Sequence, residues 1–214
     1  MYKTNTKEKS LRVVFYYILY SILNEVLGYY FHEIRSLKDA LVLYAIFTVV
    51  EFSSFCLFYY YAVAEGKMKK AVLPIGTVFL LFACVDFFSF NKMTSIDSIA
   101  IGVETILVIL MSIYYLAVQI KGDTNLFVYS TSNFWIVITF LIYLSGNFFL
   151  YIMASSMSDD KYYRDMYTII NSVFIVLKNI LLSVAMLMKS SETANKKILA
   201  HNDWGDPHSY KLKN

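Results

Sequence analysis

Five ionisable side chains interrupt stretches of this sequence that are otherwise apolar enough to cross a membrane. They are four acids and one base, namely Glu25, Glu51, Asp86, Glu104 and Lys178. A charge at the centre of a bilayer costs roughly 2.5–3.5 kcal/mol on insertion scales, so such residues normally pair inside a bundle or line a wet cavity. Four acids against one lysine leave surplus carboxyls, which must be protonated, solvated or matched by an external cation. This surplus favours a functional pocket over interhelical pairing alone.

Helical spacing places the polar residues of these stretches on single faces, which we expect to point toward other helices rather than toward lipid. The predicted inward faces comprise Tyr17, Ser21, Asn24 and Gly28 on the first stretch; Tyr44, Thr48, Glu51 and Phe55 on the second; Glu104, Val108, Met111 and Tyr115 on the fourth; Thr139, Tyr143, Gly146 and Asn147 on the fifth; and Asn171, Lys178, Asn179 and Ser183 on the sixth. The pattern predicts a bundle with a polar interior.

Depth in the membrane follows from counting along each stretch at about 1.5 Å per residue. Glu51 and Lys178 come about halfway across, so we predict that Lys178 pairs with Glu51 or with a neighbouring acid. Glu25, Asp86 and Glu104 come closer to the outer face, which favours a pocket that opens outward. The candidate binding residues are Glu25, Glu51, Asp86, Glu104, Tyr143, Asn147, Asn171 and Lys178.

The elements that must position these residues are six apolar stretches, each near the roughly 20 residues that a membrane-spanning helix needs. We place them at 11–31, 39–64, 70–90, 97–120, 133–155 and 164–188. The chain is 58% hydrophobic and 16% charged, whereas soluble domains are about 25% charged. We therefore predict an all-α integral membrane bundle over residues 1–188. The polar segment 189–214 is expected to be a disordered cytoplasmic tail.

The distribution of basic residues predicts the orientation. Thirteen fall on one side of the predicted spans: Lys3, Lys7, Lys9, Arg12, Lys67, Lys69, Lys70, Lys121, Lys189, Lys196, Lys197, Lys211 and Lys213. Five fall on the other: Arg35, Lys38, Lys92, Lys161 and Arg164. Because cytoplasmic loops have an excess of lysine and arginine, we expect both termini in the cytoplasm and the bundle in a bacterial inner membrane.

Residue types disfavour several chemistries. No predicted span has a histidine, so a metal hydrolase or a serine hydrolase with a histidine base is not expected, and we predict no metal and no cofactor. A hydrolase with two carboxylates, for example Asp86 with Glu104, stays open. Cys56 and Cys84 lie in apolar stretches, where cysteine packs as a small hydrophobe. The net charge of +3 comes mainly from the flanks of the spans, so no nucleic-acid partner is expected.

The segment from Asn133 to Tyr151 resembles the multispanning sensor regions of Bacteroidetes-type histidine kinases and their stand-alone relatives. The resemblance depends on Phe134, Trp135, Tyr143, Ser145 and Gly146. The last stretch, from Thr168 to Met188, is similar in character, with Asn171, Lys178 and Asn179. The resemblance covers the last two spans and implies a membrane sensory region that works with a histidine kinase or another signalling partner. The chain departs from the family in having six spans rather than seven and no kinase domain.

We therefore expect a small sensory or accessory protein surrounded by membrane lipid, which signals through a partner; a homo-oligomer also stays open. Two other functions remain. The first is a proton- or cation-coupled transporter, in which Glu51, Asp86 and Glu104 move charge and Lys178 acts as an internal gate. The second is an intramembrane enzyme that acts on lipid with carboxylates as general acid and base. We find no inverted repeat and no broken helix pair of the kind that marks many transporters, which favours the sensory hypothesis.

Overall fold

The computed structural model describes residues 2–34, 37–63, 67–89, 98–121, 131–156 and 161–188. These form six α-helices: α1 (Tyr2–Ile34), α2 (Leu37–Ala62), α3 (Lys67–Ser89), α4 (Ser98–Lys121), α5 (Ser132–Ser156) and α6 (Lys161–Leu187). The predicted all-α fold with six helices is confirmed. The predicted tail, 189–214, lies outside the described residues.

The helices agree with the predicted spans within a few residues, except at the start of α1. This helix begins at Tyr2, nine residues before the predicted start at 11, because hydropathy marks the part of a helix that crosses a membrane and not its end. The apolar part of α1, Lys9–Tyr30, is close to the prediction. α3 begins at Lys67, so Pro74 lies inside this helix rather than at its start. Its missing N–H leaves the carbonyl four residues earlier without its usual helical donor.

Five helices close into a ring, because α1 contacts α2 and α6, α2 contacts α4, and α5 contacts α4 and α6; α3 packs against α2 and α4. Helices that are consecutive in the chain run antiparallel. The Lys9 ammonium lies 5.8 Å from the centre of the Tyr61 ring, and the Ser132 hydroxyl donates to the Met188 carbonyl at 2.5 Å. The Ser10 hydroxyl donates to Asn133 Oδ1 at 3.4 Å and joins these two pairs, so the start of α1, the end of α2, the start of α5 and the end of α6 lie at one end of the bundle. We call this the terminal end, and we call the opposite end the loop end.

The outside of the bundle is apolar along all six helices, the reverse of a soluble protein. Val26, Val78 and Phe149 are 63%, 67% and 67% exposed. Each helix contains a segment of 19 to 22 residues that is long and apolar enough to cross a membrane. A soluble bundle would bury one stripe of each helix and present polar residues on the other faces. The architecture is that of a multi-pass membrane protein.

Half of the interior, nearer the terminal end, is filled by aromatic rings. α2 lies innermost there, and Phe52, Phe55, Phe58 and Tyr59 have no exposed surface. The Phe140 ring of α5 packs against Phe55 at 4.4 Å between centroids and against Phe58 at 5.4 Å. We call this region the aromatic half; its members are Phe52, Phe55, Phe58, Tyr59, Phe79, Tyr115 and Phe140. Lipid does not drive apolar side chains together as water does, so close packing of these rings is what holds the helices in contact.

Candidate functional site

A buried lysine joins three helices near the middle of the bundle. The Lys178 ammonium on α6 lies 3.3 Å from Oε1 of Glu51 on α2 and donates to the Tyr17 hydroxyl on α1 at 2.5 Å. The Tyr17 hydroxyl in turn donates to the same Glu51 oxygen. The predicted pairing of Lys178 with Glu51 is confirmed. The lysine side chain has no exposed surface, and only 7% of the glutamate side chain is exposed.

These three residues meet because their helices are consecutive around the ring. α1 contacts both α2 and α6, so a tyrosine on the inner face of α1 reaches across to both neighbours. A phenol suits this position, because its oxygen accepts from an ammonium while its hydrogen is given to a carboxylate. A buried pair of charges is stable only where further hydrogen bonds satisfy it. Tyr17 supplies one such bond to each partner.

Aromatic rings surround the lysine ammonium. The nitrogen lies 4.3 Å from the centre of the Tyr143 ring, 4.7 Å from that of Tyr17 and 5.5 Å from that of Phe47. A cation within about 6 Å of a ring centre is attracted by the negative face of the ring, by about 2 kcal/mol or more where water is excluded. We call Lys178, Glu51, Tyr17, Phe47 and Tyr143 the lysine cluster.

Two further acids face the lysine cluster. Glu25 on α1 and Glu104 on α4 both interact electrostatically with Lys178 and with Glu51. Glu104 is 2% exposed, whereas Glu25 is half-buried. One lysine therefore interacts electrostatically with three glutamates drawn from three different helices, and of these Glu51 is its direct partner.

The interior between the lysine cluster and the loop end is polar and incompletely hydrogen-bonded. Six buried side-chain atoms there have no hydrogen-bond partner within the described ranges: Asn24 Oδ1, Asp86 Oδ2, Glu104 Oε1, Asn147 Oδ1 and Nδ2, and Asn171 Oδ1; Asn179 Oδ1, one residue beyond Lys178, is a seventh such atom. We call the region formed by Asn24, Glu25, Asp86, Glu104, Asn147 and Asn171 the polar half. Most buried polar groups in native proteins are paired, so each exception calls for an explanation.

The predicted binding residues thus divide into two groups. Glu51 and Tyr143 contact the Lys178 ammonium, and Glu25 and Glu104 interact with it electrostatically from the polar half. Asp86, Asn147 and Asn171 belong to the polar half, but in the described part of the chain the contacts of Lys178 do not include them. Asn147 is fully buried, and neither of its side-chain polar atoms finds a partner in those residues.

Two residues of the lysine cluster were not among the predicted binding residues. Tyr17 lies on the predicted inward face of α1, four residues before Ser21, so its spacing already indicated an interior position. Phe47 belongs to no polar face, and nothing in the sequence singles it out. The Asn179 amide also donates to the Ser21 hydroxyl at 3.4 Å, a second link between α6 and α1.

One predicted inward residue points elsewhere. Ser183 is exposed and donates to the Asn179 carbonyl of its own helix at 2.7 Å. A hydroxyl in a membrane helix can satisfy itself in this way on the carbonyl four residues earlier. Tyr44 is 40% exposed, but its hydroxyl lies against Gly28 on α1, as its place on the predicted inward face of α2 requires.

A shallow surface groove of about 320 Å³ lies between α1 and α6 near the terminal end, away from the polar half. Leu11, Arg12, Phe15, Tyr16 and Met186 line it. Among the residues that the structure describes, no three histidine, cysteine, aspartate or glutamate side chains are placed to hold a metal ion.

No protein-family model matches this sequence, and neither a curated protein nor a solved structure shows significant similarity to it.

Proposed function

We propose that this chain is a sensory or accessory module of a bacterial inner membrane, which binds a small ligand in its polar half and passes the change to a signalling partner such as a histidine kinase. The observation on which this depends is the set of buried polar atoms that have no hydrogen-bond partner among the described residues, next to a lysine that interacts electrostatically with three glutamates. A buried donor or acceptor left unpaired costs about 1–3 kcal/mol. A ligand that supplies the missing partners removes this penalty.

The proposed orientation puts the terminal end in the cytoplasm and the polar half toward the outside. Lys9, Arg12, Lys69 and Lys70 lie at the terminal end, in agreement with the positive-inside rule. Topology reporters fused after Lys70 and after Lys121 should report cytoplasm, and one fused after Lys92 should report periplasm. A cytoplasmic signal after Lys92 would contradict the orientation and with it the outward access of the ligand.

The lysine cluster connects the polar half, where the proposed ligand binds, to α6. Lys178 ties α6 to α1 and α2 through its two polar contacts, and α6 is the helix that leads to the polar segment 189–214. A ligand that changes the charge around Lys178 alters these links and so shifts α6 against its neighbours. Movements of this kind between packed helices are discrete rather than continuous, since a close-packed interior has few alternative arrangements.

The direct test uses neutral substitutions of acids in the polar half. Glu104→Gln and Asp86→Asn should weaken the response of the melting temperature to a panel of small cations, since binding stabilises the folded state by mass action. Ser145→Ala on the exposed face of α5 is the matched control and should leave that response unchanged. Equal responses in all variants would contradict a ligand site in the polar half.

Transport of protons or cations is the second candidate, favoured by one observation. The Tyr17 hydroxyl links Lys178 to Glu51 in a continuous hydrogen-bonded chain across three helices. Such chains of ionisable groups inside a membrane mark proton relays. Purified protein in proteoliposomes distinguishes the two functions: a transporter gives a flux that Glu51→Gln abolishes, and a sensor binds the ligand without flux.

A further inference from the structure

The surroundings of the Lys178 ammonium are those that proteins use to bind free ammonium ligands. Three aromatic rings lie within 5.5 Å of the nitrogen, and a carboxylate lies at 3.3 Å. Rings that present their faces to a cation, together with an acid, form an aromatic cage. In the described structure this cage holds a side chain of the protein itself. Lys178 is thus the internal occupant of an ammonium site.

The structure also offers a second acid with which the Lys178 ammonium group can pair. Glu104 interacts electrostatically with Lys178, and its buried Oε1 lacks a hydrogen-bond partner in the part of the chain that is described. A lysine has a flexible four-carbon stem and bonds through a compact charge, so it can exchange one carboxylate for another without a fixed bidentate geometry. Glu25, half-buried and nearer the loop end, lies on the side from which a cation would approach.

We propose that the ligand of the polar half is a small organic amine, whose ammonium group replaces Lys178 in the cage and moves the lysine toward Glu104. This inference rests on the proposed function, because it names the ligand class of the same site. The displaced Lys178 ammonium gives the buried Glu104 Oε1 the donor that this atom lacks among the described residues. The step is an exchange of ion pairs and involves no covalent change.

The contacts also select the kind of amine. The lysine nitrogen donates to both Tyr17 and Glu51, so a replacement must have N–H groups. A quaternary ammonium fills the cage but cannot donate. We expect tetramethylammonium to bind about tenfold more weakly than a primary alkylamine, because a hydrogen bond to a charged group contributes about that factor or more.

Chemical rescue tests the cage directly. Lys178→Ala removes the aminopropyl group beyond Cβ and leaves space for n-propylammonium, which should raise the melting temperature of this variant in a saturable manner. n-Propanol, of similar size and uncharged, should give little or no shift. Ser183→Ala on the exposed face of the same helix is the control and should respond no more than the wild type. Equal shifts with n-propylammonium and n-propanol would overturn the cage.

A second measurement keeps the inference testable where Lys178→Ala does not fold. The wild-type protein should be stabilised more by n-butylammonium than by sodium or tetramethylammonium at equal ionic strength, and Glu104→Gln should remove most of this difference. A wild type that responds equally to all three cations contradicts an amine ligand. In that case, a loss of the common response in Glu104→Gln would still support the proposed function with another cation. Failure of the two proposals is therefore distinguishable.

Discussion

The two halves of the bundle interior differ in how closely they are packed and in how completely their polar groups are hydrogen-bonded. The aromatic half is closely packed, and its main polar contact is satisfied, since the Tyr59 and Ser112 hydroxyls lie 2.6 Å apart and Ser112 donates to the Val108 carbonyl at 2.7 Å. The polar half leaves buried atoms of Asn24, Glu104 and Asn147 without partners among the described residues. The lysine cluster lies at the boundary between them.

This contrast indicates that the two halves have different roles, one in stability and the other in binding. Close packing of rings stabilises helix contacts in a membrane, where the hydrophobic effect contributes little between helices. Buried polar groups without partners lower the stability of the fold, so each of them calls for an explanation such as a role in function. The aromatic half is accordingly expected to hold the fold, and the polar half is expected to lower stability in exchange for binding.

The largest effect is expected at the boundary, in Lys178→Met. Removing one member of a buried ion pair leaves an uncompensated charge and costs roughly 3–5 kcal/mol in soluble proteins. The free energy of unfolding, measured by detergent titration, should fall by a similar amount. Adding Glu51→Gln should recover part of the loss. Additive losses in the double variant would mean that Lys178 and Glu51 do not stabilise each other. The lysine cluster would then not mark a boundary between the two halves.

Phe55→Ala should give the next largest loss, in the aromatic half. Truncation of a buried phenylalanine costs about 3–5 kcal/mol in soluble cores, and we expect about 3 kcal/mol here, since lipid does not penalise an apolar ring as water does. Leu57→Ala on the exposed face of the same helix is the matched control. Equal losses in the two variants would mean that the aromatic half does not hold the bundle together.

Asn147→Leu should act in the opposite direction. It replaces two buried polar atoms without partners by an apolar side chain of similar size, so the free energy of unfolding should rise by about 1–3 kcal/mol. The same variant should lose ligand binding. A destabilised Asn147→Leu would show that this amide is satisfied in the native protein, and the polar half would then be a structural feature.

The smallest effect is expected for Tyr59→Phe, which removes one hydrogen bond from the aromatic half. Interhelical hydrogen bonds in membranes average about 0.6 kcal/mol. Ser112 keeps its bond to the Val108 carbonyl, so no group is left unpaired. Thermal melts of wild type and variant should differ only slightly. A loss as large as that of Phe55→Ala would assign the stability of this half to its hydrogen bonds rather than to its rings.

Much of the fold was predictable, since the length and apolar character of the spans report directly on a bilayer that each helix must cross. The pairing of Lys178 with Glu51 was predictable as well, because depth can be counted along a helix and a buried charge requires a partner. The role of Tyr17 was predictable only in part. Its inward position followed from the helical spacing, but its contacts with Lys178 and Glu51 depend on how α1, α2 and α6 pack together. Phe47 had no sequence signal at all.

The sequence by itself determined that six segments are long and apolar enough to cross a membrane, roughly where each of them ends, and that acids outnumber bases within them. These properties are local, since they depend on the composition and periodicity of single segments. The tertiary structure alone decided that α1, α2 and α6 meet at one lysine, that three rings enclose its ammonium and that Glu104 on α4 interacts with it electrostatically. Helix order and rotation around the ring set these contacts, and they arise from packing between residues far apart in the chain.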